Sequence, residues 1–208
     1  MDIAAKKALL SQVRVGHRLL ASYYQRIHLL LSDMSHDERL ELEYFSWEPK
    51  VYHRPAPRLS NVLDCWAWDL LPGVATSYFF LHGSEKKAQR PGDWLLVIDV
   101  VTDTAVEDEE SESALDFAVS AEEAQSVVRC HLVAPHKKSK VDWFHSVWGE
   151  VDWPECTDTP VLKSIDDNKQ FYGVGFEIPM EELMGEDSVE ILVDKIITFR
   201  DAVLPKSK

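Results

Sequence analysis

Residues 2–34 read DIAAKKALLSQVRVGHRLLASYYQRIHLLLSDM. Within this stretch Leu9, Val13, Gly16, Leu20, Tyr23, Ile27, Leu30 and Met34 follow one another at alternating steps of four and three. An α-helix turns once every ~3.6 residues, so these positions share one face over about seven turns. Leu10, Leu19, Tyr24 and Leu31 flank the row and make it wider than the two-position seam of a coiled coil. The spacing therefore predicts an amphipathic helix over residues 1–34 laid across a sheet. A homodimer formed through this helix is the alternative. Gly16 costs up to about 1 kcal/mol in helix propensity relative to alanine, so another backbone is expected to come close to it.

The helix also divides the charge. The 208-residue chain carries a net −14, but residues 1–32 hold five Lys or Arg against Asp2 alone, a net +4. Residues 33–208 must therefore carry −18. An acidic body disfavours nucleic acid as a partner, because phosphate repels it and few counterions are released. It suits a basic protein partner, or a protein that imitates nucleic acid; solubility is the simplest explanation. Cys65, Cys130 and Cys156 are odd in number and contain no C-x-x-C pair, which points to a reducing, cytoplasmic setting rather than a disulfide scaffold. No run of about 18 apolar residues is present, so no membrane span is expected.

Beyond the helix the periodicity shortens to two. Residues 39–47 alternate, with Leu40, Leu42 and Tyr44 on one side and Arg39, Glu41 and Glu43 on the other. Pro49, Pro55 and Pro57 stiffen the connection that follows, and 62–70 presents Trp66 and Trp68 on one face. Residues 74–82 and 94–101 are apolar on both faces, as central strands covered on both sides must be, and 83–93 forms the loop between them. Seven acids and no base in 103–116 predict an acidic mobile loop over 103–119. Ser120 and Glu123 have capping-box spacing for a short helix, and 127–134 returns to strand. Residues 141–153 show period two and predict a strand or hairpin. In 171–178, Tyr172, Val174, Phe176 and Ile178 face one way, while Gly173 and Gly175 on the other side call for close approach to the backbone. Residues 188–204 predict a helix opened by an Asp187–Glu190 capping box, with a strand as the alternative because of its β-branched content.

Together these elements describe one α+β domain over 1–208. An antiparallel sheet of about five to seven strands packs against a long N-terminal helix and a C-terminal helix.

Few residues suggest chemistry. Asp99 sits inside LLVIDVV at 95–101, where a buried carboxylate must be paired or protonated. It is the first catalytic candidate, with Asp103 as a helper and with His131 and His145 as weaker ones. A structural hydrogen bond is the plainer role for Asp99. Cys130, His131, His136 and His145 are zinc-ligand types, but alternation separates Cys130 from His131 and no zinc spacing is matched, so no metal and no cofactor is expected. A Cys130 nucleophile with a histidine base would be of a kind that any chain with three Cys and eight His offers. Trp143, Trp148 and Trp153 recur every five residues, a spacing neither strand nor α-helix keeps on one face. In a tryptophan-rich chain that makes them candidates for partner binding.

The function expected is that of a non-enzymatic protein acting through protein–protein interaction. The alternatives are an enzyme or small-molecule-binding protein with a pocket between sheet and helix around Asp99, and an acidic mimic of nucleic acid.

Overall fold

The computed structural model describes residues 2–51, 70–83, 89–107, 119–149 and 152–205. Its elements are helix α1 (Ile3–Ser35), strands β1 (Glu43–Pro49), β2 (Ala75–His82), β3 (Trp94–Val101), β4 (Val127–Pro135), β5 (Lys163–Ser164) and β6 (Phe171–Pro179), and helix α2 (Ser188–Val203). The six strands form one antiparallel sheet in the order β1-β2-β3-β4-β6-β5. This is the α+β fold expected: a six-stranded antiparallel sheet with a long N-terminal and a C-terminal helix.

Alternation decides what lies on each side. Phe80, Leu96, Ile98, Cys130, Leu132, Val174 and Phe176 point to the helix side and meet Leu192, Val193, Ile196 and Phe199 of α2. Ile27, Leu30, Leu31 and Met34 of α1 join the same cluster. On the far side Phe79, Leu81, Leu95, Val97 and Val133 pack against Trp143, Val147, Ile165 and Phe171. All eight residues of β3 are buried, as a strand covered on both faces requires. Gly173 and Gly175 behave as their position demands. A Cβ on Gly173 would lie 3.1 Å from Ile165 and from Pro154, and one on Gly175 would lie 3.1 Å from the carbonyls of Pro154 and Glu155. The connection after the far-side helical turn is thereby laid directly on β6.

Several expectations are corrected. Residues 141–153 do not form a strand: Trp143–Trp148 is a π-helix, capped by Asp142 accepting from the Phe144 and His145 amides. The apparent period of two arose from aromatic residues that serve a wider turn. The strand expected from residue 39 begins only at Glu43, because Glu41 takes a left-handed φ of 51° and turns the chain. Ser120 and Glu123 close a turn rather than a helix. The acidic segment starts in an ordered turn, Thr104–Glu107, with Ala105 and Val106 buried. Residues 108–118 and the tryptophan-bearing 62–69 lie outside the described residues. At 188–203 helix wins over strand, since Leu192, Val193, Ile196, Phe199 and Val203 all bury on one face, but Asp187 makes no side-chain cap bond.

The largest correction concerns α1. It was expected to fold back on the body over its whole length, yet no residue before Ile27 is buried. Ile3 is 72% and Leu19 68% exposed, so the first twenty residues project from the sheet. Gly16 meets nothing: a Cβ there would have no neighbour within 4 Å. Among the described residues, the close backbone that its presence suggested is not found.

The two halves of the stripe should therefore differ in energy. Met34→Ala removes a fully buried side chain and is expected to destabilise by about 2–5 kcal/mol, whereas Leu19→Ala should stay within about 0.5 kcal/mol. Urea denaturation compares the two; equal losses would mean that the projecting half is packed in solution.

Candidate functional site

Of the residues singled out from the sequence, Asp99, His131 and the three tryptophans fall on the far side of the sheet, away from both helices. The strand registers align Glu48, Ser77, Asp99, Arg129 and Glu177 in one transverse row across five strands. Asp99 is only 2% exposed and both its oxygens are engaged. The Ser77 hydroxyl donates to Oδ1 at 2.6 Å and the Lys50 ammonium to Oδ2 at 2.8 Å. Lys50 also donates to Glu107 Oε1 at 3.2 Å, Arg129 Nη1 to Glu107 Oε2 at 2.6 Å, and Arg129 Nε to Glu177 Oε2 at 2.7 Å. Ser77, Asp99, Lys50, Glu107, Arg129 and Glu177 thus form an unbroken chain of charge-assisted hydrogen bonds. Burial alone would lower the Lys50 and Arg129 pKa values; the carboxylates of Asp99 and Glu107 for Lys50, and of Glu107 and Glu177 for Arg129, outweigh it and raise both.

This network does structural work. Lys50 follows β1 directly, and Glu107 ends the Thr104–Glu107 turn, so the ion pairs hold both segments on the sheet. Asp103, the proposed helper, instead accepts from the Ala105 amide and shapes that turn. Because Asp99 faces away from α1 and α2, a pocket between sheet and helix cannot contain it.

His131 lies one row from Asp99 on the same face, and its edge meets Trp153 at a centroid distance of 5.6 Å. Burial holds its imidazole below the ordinary pKa, which favours the neutral ring. Its Nδ1 is buried and meets no partner in full hydrogen-bond geometry among the described residues, while the Pro154 backbone, the smallest influence on its pKa, pulls that value upward. His145, the other weak catalytic candidate, is exposed on the π-helix and apart from Asp99 and His131. Cys130 is enclosed on the helix side, opposite His131, so the two form no nucleophile–base pair. Burial raises the thiol pKa of Cys130 well above its ordinary value and that of Cys156 to about 11, which leaves both as poor nucleophiles.

The tryptophans are brought together, but inward. Trp143 is 1% exposed, and Trp148 and Trp153 contact each other with ring centroids 3.8 Å apart. Trp148 Nε1 donates to Glu48 Oε1 at 2.7 Å, closing the end of the polar row. A π-helix bonds i to i+5, which fits the Trp143–Trp148 spacing, while Trp153 belongs to the connection that follows it. Among these three, none offers an open anchor of the kind expected for partner binding.

Two features missed by sequence reading remain. The first is the projecting half of α1, with Leu9, Leu10, Val13 and Leu19 exposed on one side and Lys6, Lys7, Arg14 and Arg18 exposed around them. The second is a cavity of about 780 Å³ where α1 passes the β1–β2 edge. Tyr24 and His28 of α1, Tyr44 and Trp47 of β1, and Tyr78 and Phe80 of β2 supply its aromatic walls. Its lining draws on three separated segments, and only the cluster of tyrosines in 23–24 hinted at it. Among the described residues no group of His, Cys, Asp and Glu is placed to hold a metal ion, and no helix is long and apolar enough to cross a membrane.

Residues 5–202 match the family PM0109, and the chain belongs to that family. No curated protein and no solved structure matches it.

Two measurements check the far-side chemistry. Lys50→Met leaves Asp99 buried beside Ser77 alone and should cost about 3 kcal/mol, with partial recovery when Asp99→Leu is added. His131, with a folded pKa below its unfolded ~6.5, contributes stability that is present above that value and lost as pH falls below it. The urea midpoint of the wild type should therefore drop more steeply than that of His131→Gln as pH falls below ~6.5; parallel curves would mean the ring is charged in the fold.

Proposed function

We propose that this member of the PM0109 family is a non-enzymatic protein that binds another protein, with the projecting half of α1 as the element that docks. One observation carries the reading. The stripe that buries Ile27, Leu30, Leu31 and Met34 continues without a break through Leu9, Val13, Gly16 and Leu20, none of which is buried among the described residues. An apolar face held over further turns that no described residue buries marks an interaction site.

The chemistry of the partner follows from what surrounds the stripe. Leu10 and Leu19 broaden it beyond a two-stranded seam, which suits a helix laid in a groove. Lys6, Lys7, Arg14 and Arg18 would meet the rim of that groove, so the rim is acidic. Gly16 allows the partner's backbone to approach and accounts for a glycine that none of the described residues explains. The −18 body supports a different expectation, a basic partner, but among the described residues no continuous apolar stripe accompanies that charge as one accompanies the lysines and arginines of α1. Self-pairing through α1 would bring two copies of the same basic segment together and is the weaker reading. The free thiols of Cys130 and Cys156 support a reducing compartment, and we place the protein in the cytoplasm.

The test is a paired variant. Leu9→Glu with Val13→Glu should leave the urea midpoint within about 0.5 kcal/mol of wild type, because both residues are half-exposed. Wild-type protein is expected to recover a stoichiometric acidic protein from lysate at mild salt, and the variant to lose it. Recovery that survives both substitutions, or a wild-type chain that only dimerises in sedimentation, overturns the reading.

A further inference from the structure

We propose that the cavity between α1 and the β1–β2 edge binds a neutral, largely aromatic small molecule. Its volume of about 780 Å³ lies in the range of roughly 300–1,000 Å³ that small-molecule sites occupy. Its composition is the more informative property. Among the described residues that line it there is no Lys, Arg, Asp or Glu, in a chain that holds 22 Lys and Arg and 36 Asp and Glu. A charged ligand would enter without a counterion, at a desolvation cost of several kcal/mol.

What the cavity offers instead is ring surface with neutral polar tips. Tyr24, Tyr44, Trp47, Tyr78 and Phe80 present faces and edges suited to stacked or edge-on aromatic contacts. The Tyr78 hydroxyl and His28 Nε2 lie 3.1 Å apart and form one fixed polar point on the wall. Burial, reinforced by the neighbouring tyrosines, pushes the Tyr78 phenol up to about 12, so it stays protonated and able to donate. Tyr24 and Tyr44 are raised in the same direction, by burial first.

The wall is built, not incidental. A Cβ on Gly73 would come within 2.8 Å of the Tyr24 ring, so glycine lets the Pro72–Val74 turn close against that phenol without displacing the ring. Tyr24 in turn sits on the anchored part of α1, three residues before Ile27. The site and the projecting docking segment are therefore carried by different stretches of the same helix, and each can fail without the other.

The test is a fluorescence titration of the full chain with N-phenylnaphthylamine, which is neutral, and with anilinonaphthalenesulfonate, which keeps the rings and adds a sulfonate. N-phenylnaphthylamine should saturate at one molecule per chain, and the sulfonate should bind roughly tenfold more weakly or worse. Ser32→Trp, which fills the cavity from an exposed helix position, should weaken the neutral probe by roughly tenfold or more with an unchanged melting temperature. Gly73→Ala, which displaces the Tyr24 ring, is the second variant and should act in the same direction. Leu9→Glu with Val13→Glu should leave probe binding unchanged. The proposal falls if binding does not saturate, if the sulfonate binds as tightly, if both cavity variants bind like wild type, or if the Leu9 and Val13 substitutions abolish binding.

Discussion

A carboxylate in the middle of a strand buried on both faces has to be neutralised, and the far side of this sheet is arranged around that requirement. Asp99 belongs to β3, the most enclosed strand of the sheet, and nothing on β3 itself can pair with it. Its partners come from elsewhere: a hydroxyl from β2 and an ammonium from the residue just past β1. That ammonium is shared with Glu107, which in turn grips Arg129 and through it reaches Glu177 on β6. Satisfying one buried charge thus ties together segments far apart in sequence. Removing one member would strand another in a low-dielectric setting, which is why such networks are retained whole or not at all. The row also separates two apolar clusters on the same face. Ala75, Val101, Val106 and Val127 lie at one end, and Phe79, Leu95, Val97 and Trp143 at the other.

The helix side obeys a geometric constraint instead. A 33-residue helix is about 50 Å long at ~1.5 Å per residue. An eight-residue strand spans about 27 Å, and six strands at ~4.8 Å spacing cover about 24 Å. No orientation of α1 on this sheet can cover its whole stripe, and α2 already occupies part of the same face. The overhang is therefore a consequence of length, and the question becomes why the extra turns keep an apolar stripe. A solvated extension would be polar on all sides.

Sequence periodicity revealed much of this and missed the rest for identifiable reasons. The central strands were plain because a run such as 94–101 has no other stable place than between two layers. Gly173 and Gly175 announced the loop pressed on β6 because a strand gives up side chains only where something else fills the space. The role of Asp99 as a paired structural group was legible, but its partners were not, since pairing across strands depends on register. The π-helix defeated the reading of 141–153. A pattern of alternating apolar residues carries no mark that distinguishes a strand from a wide turn stabilised by aromatic packing. For α1, the stripe gave the helix and its face but could not tell how much of that face the body would cover.

The edges of the sheet bear on where association can occur. Strand addition needs a long, regular, open edge, and neither edge here provides one. β5 is two residues long, so it gives an incoming strand almost nothing to pair with. β1 is interrupted by a register shift between Tyr44 and Ser46 and ends at Pro49, which has no amide to donate. Tyr44 and Trp47 of β1, half-exposed, turn towards the cavity beside α1 rather than forming an apolar edge of their own. With both edges blunted, the large apolar surfaces left among the described residues belong to α1 and its surroundings. One is a convex stripe that fits into something, and the other is a concave space that something fits into. The first asks for a macromolecule with a groove, and the second for a molecule small enough to be enclosed.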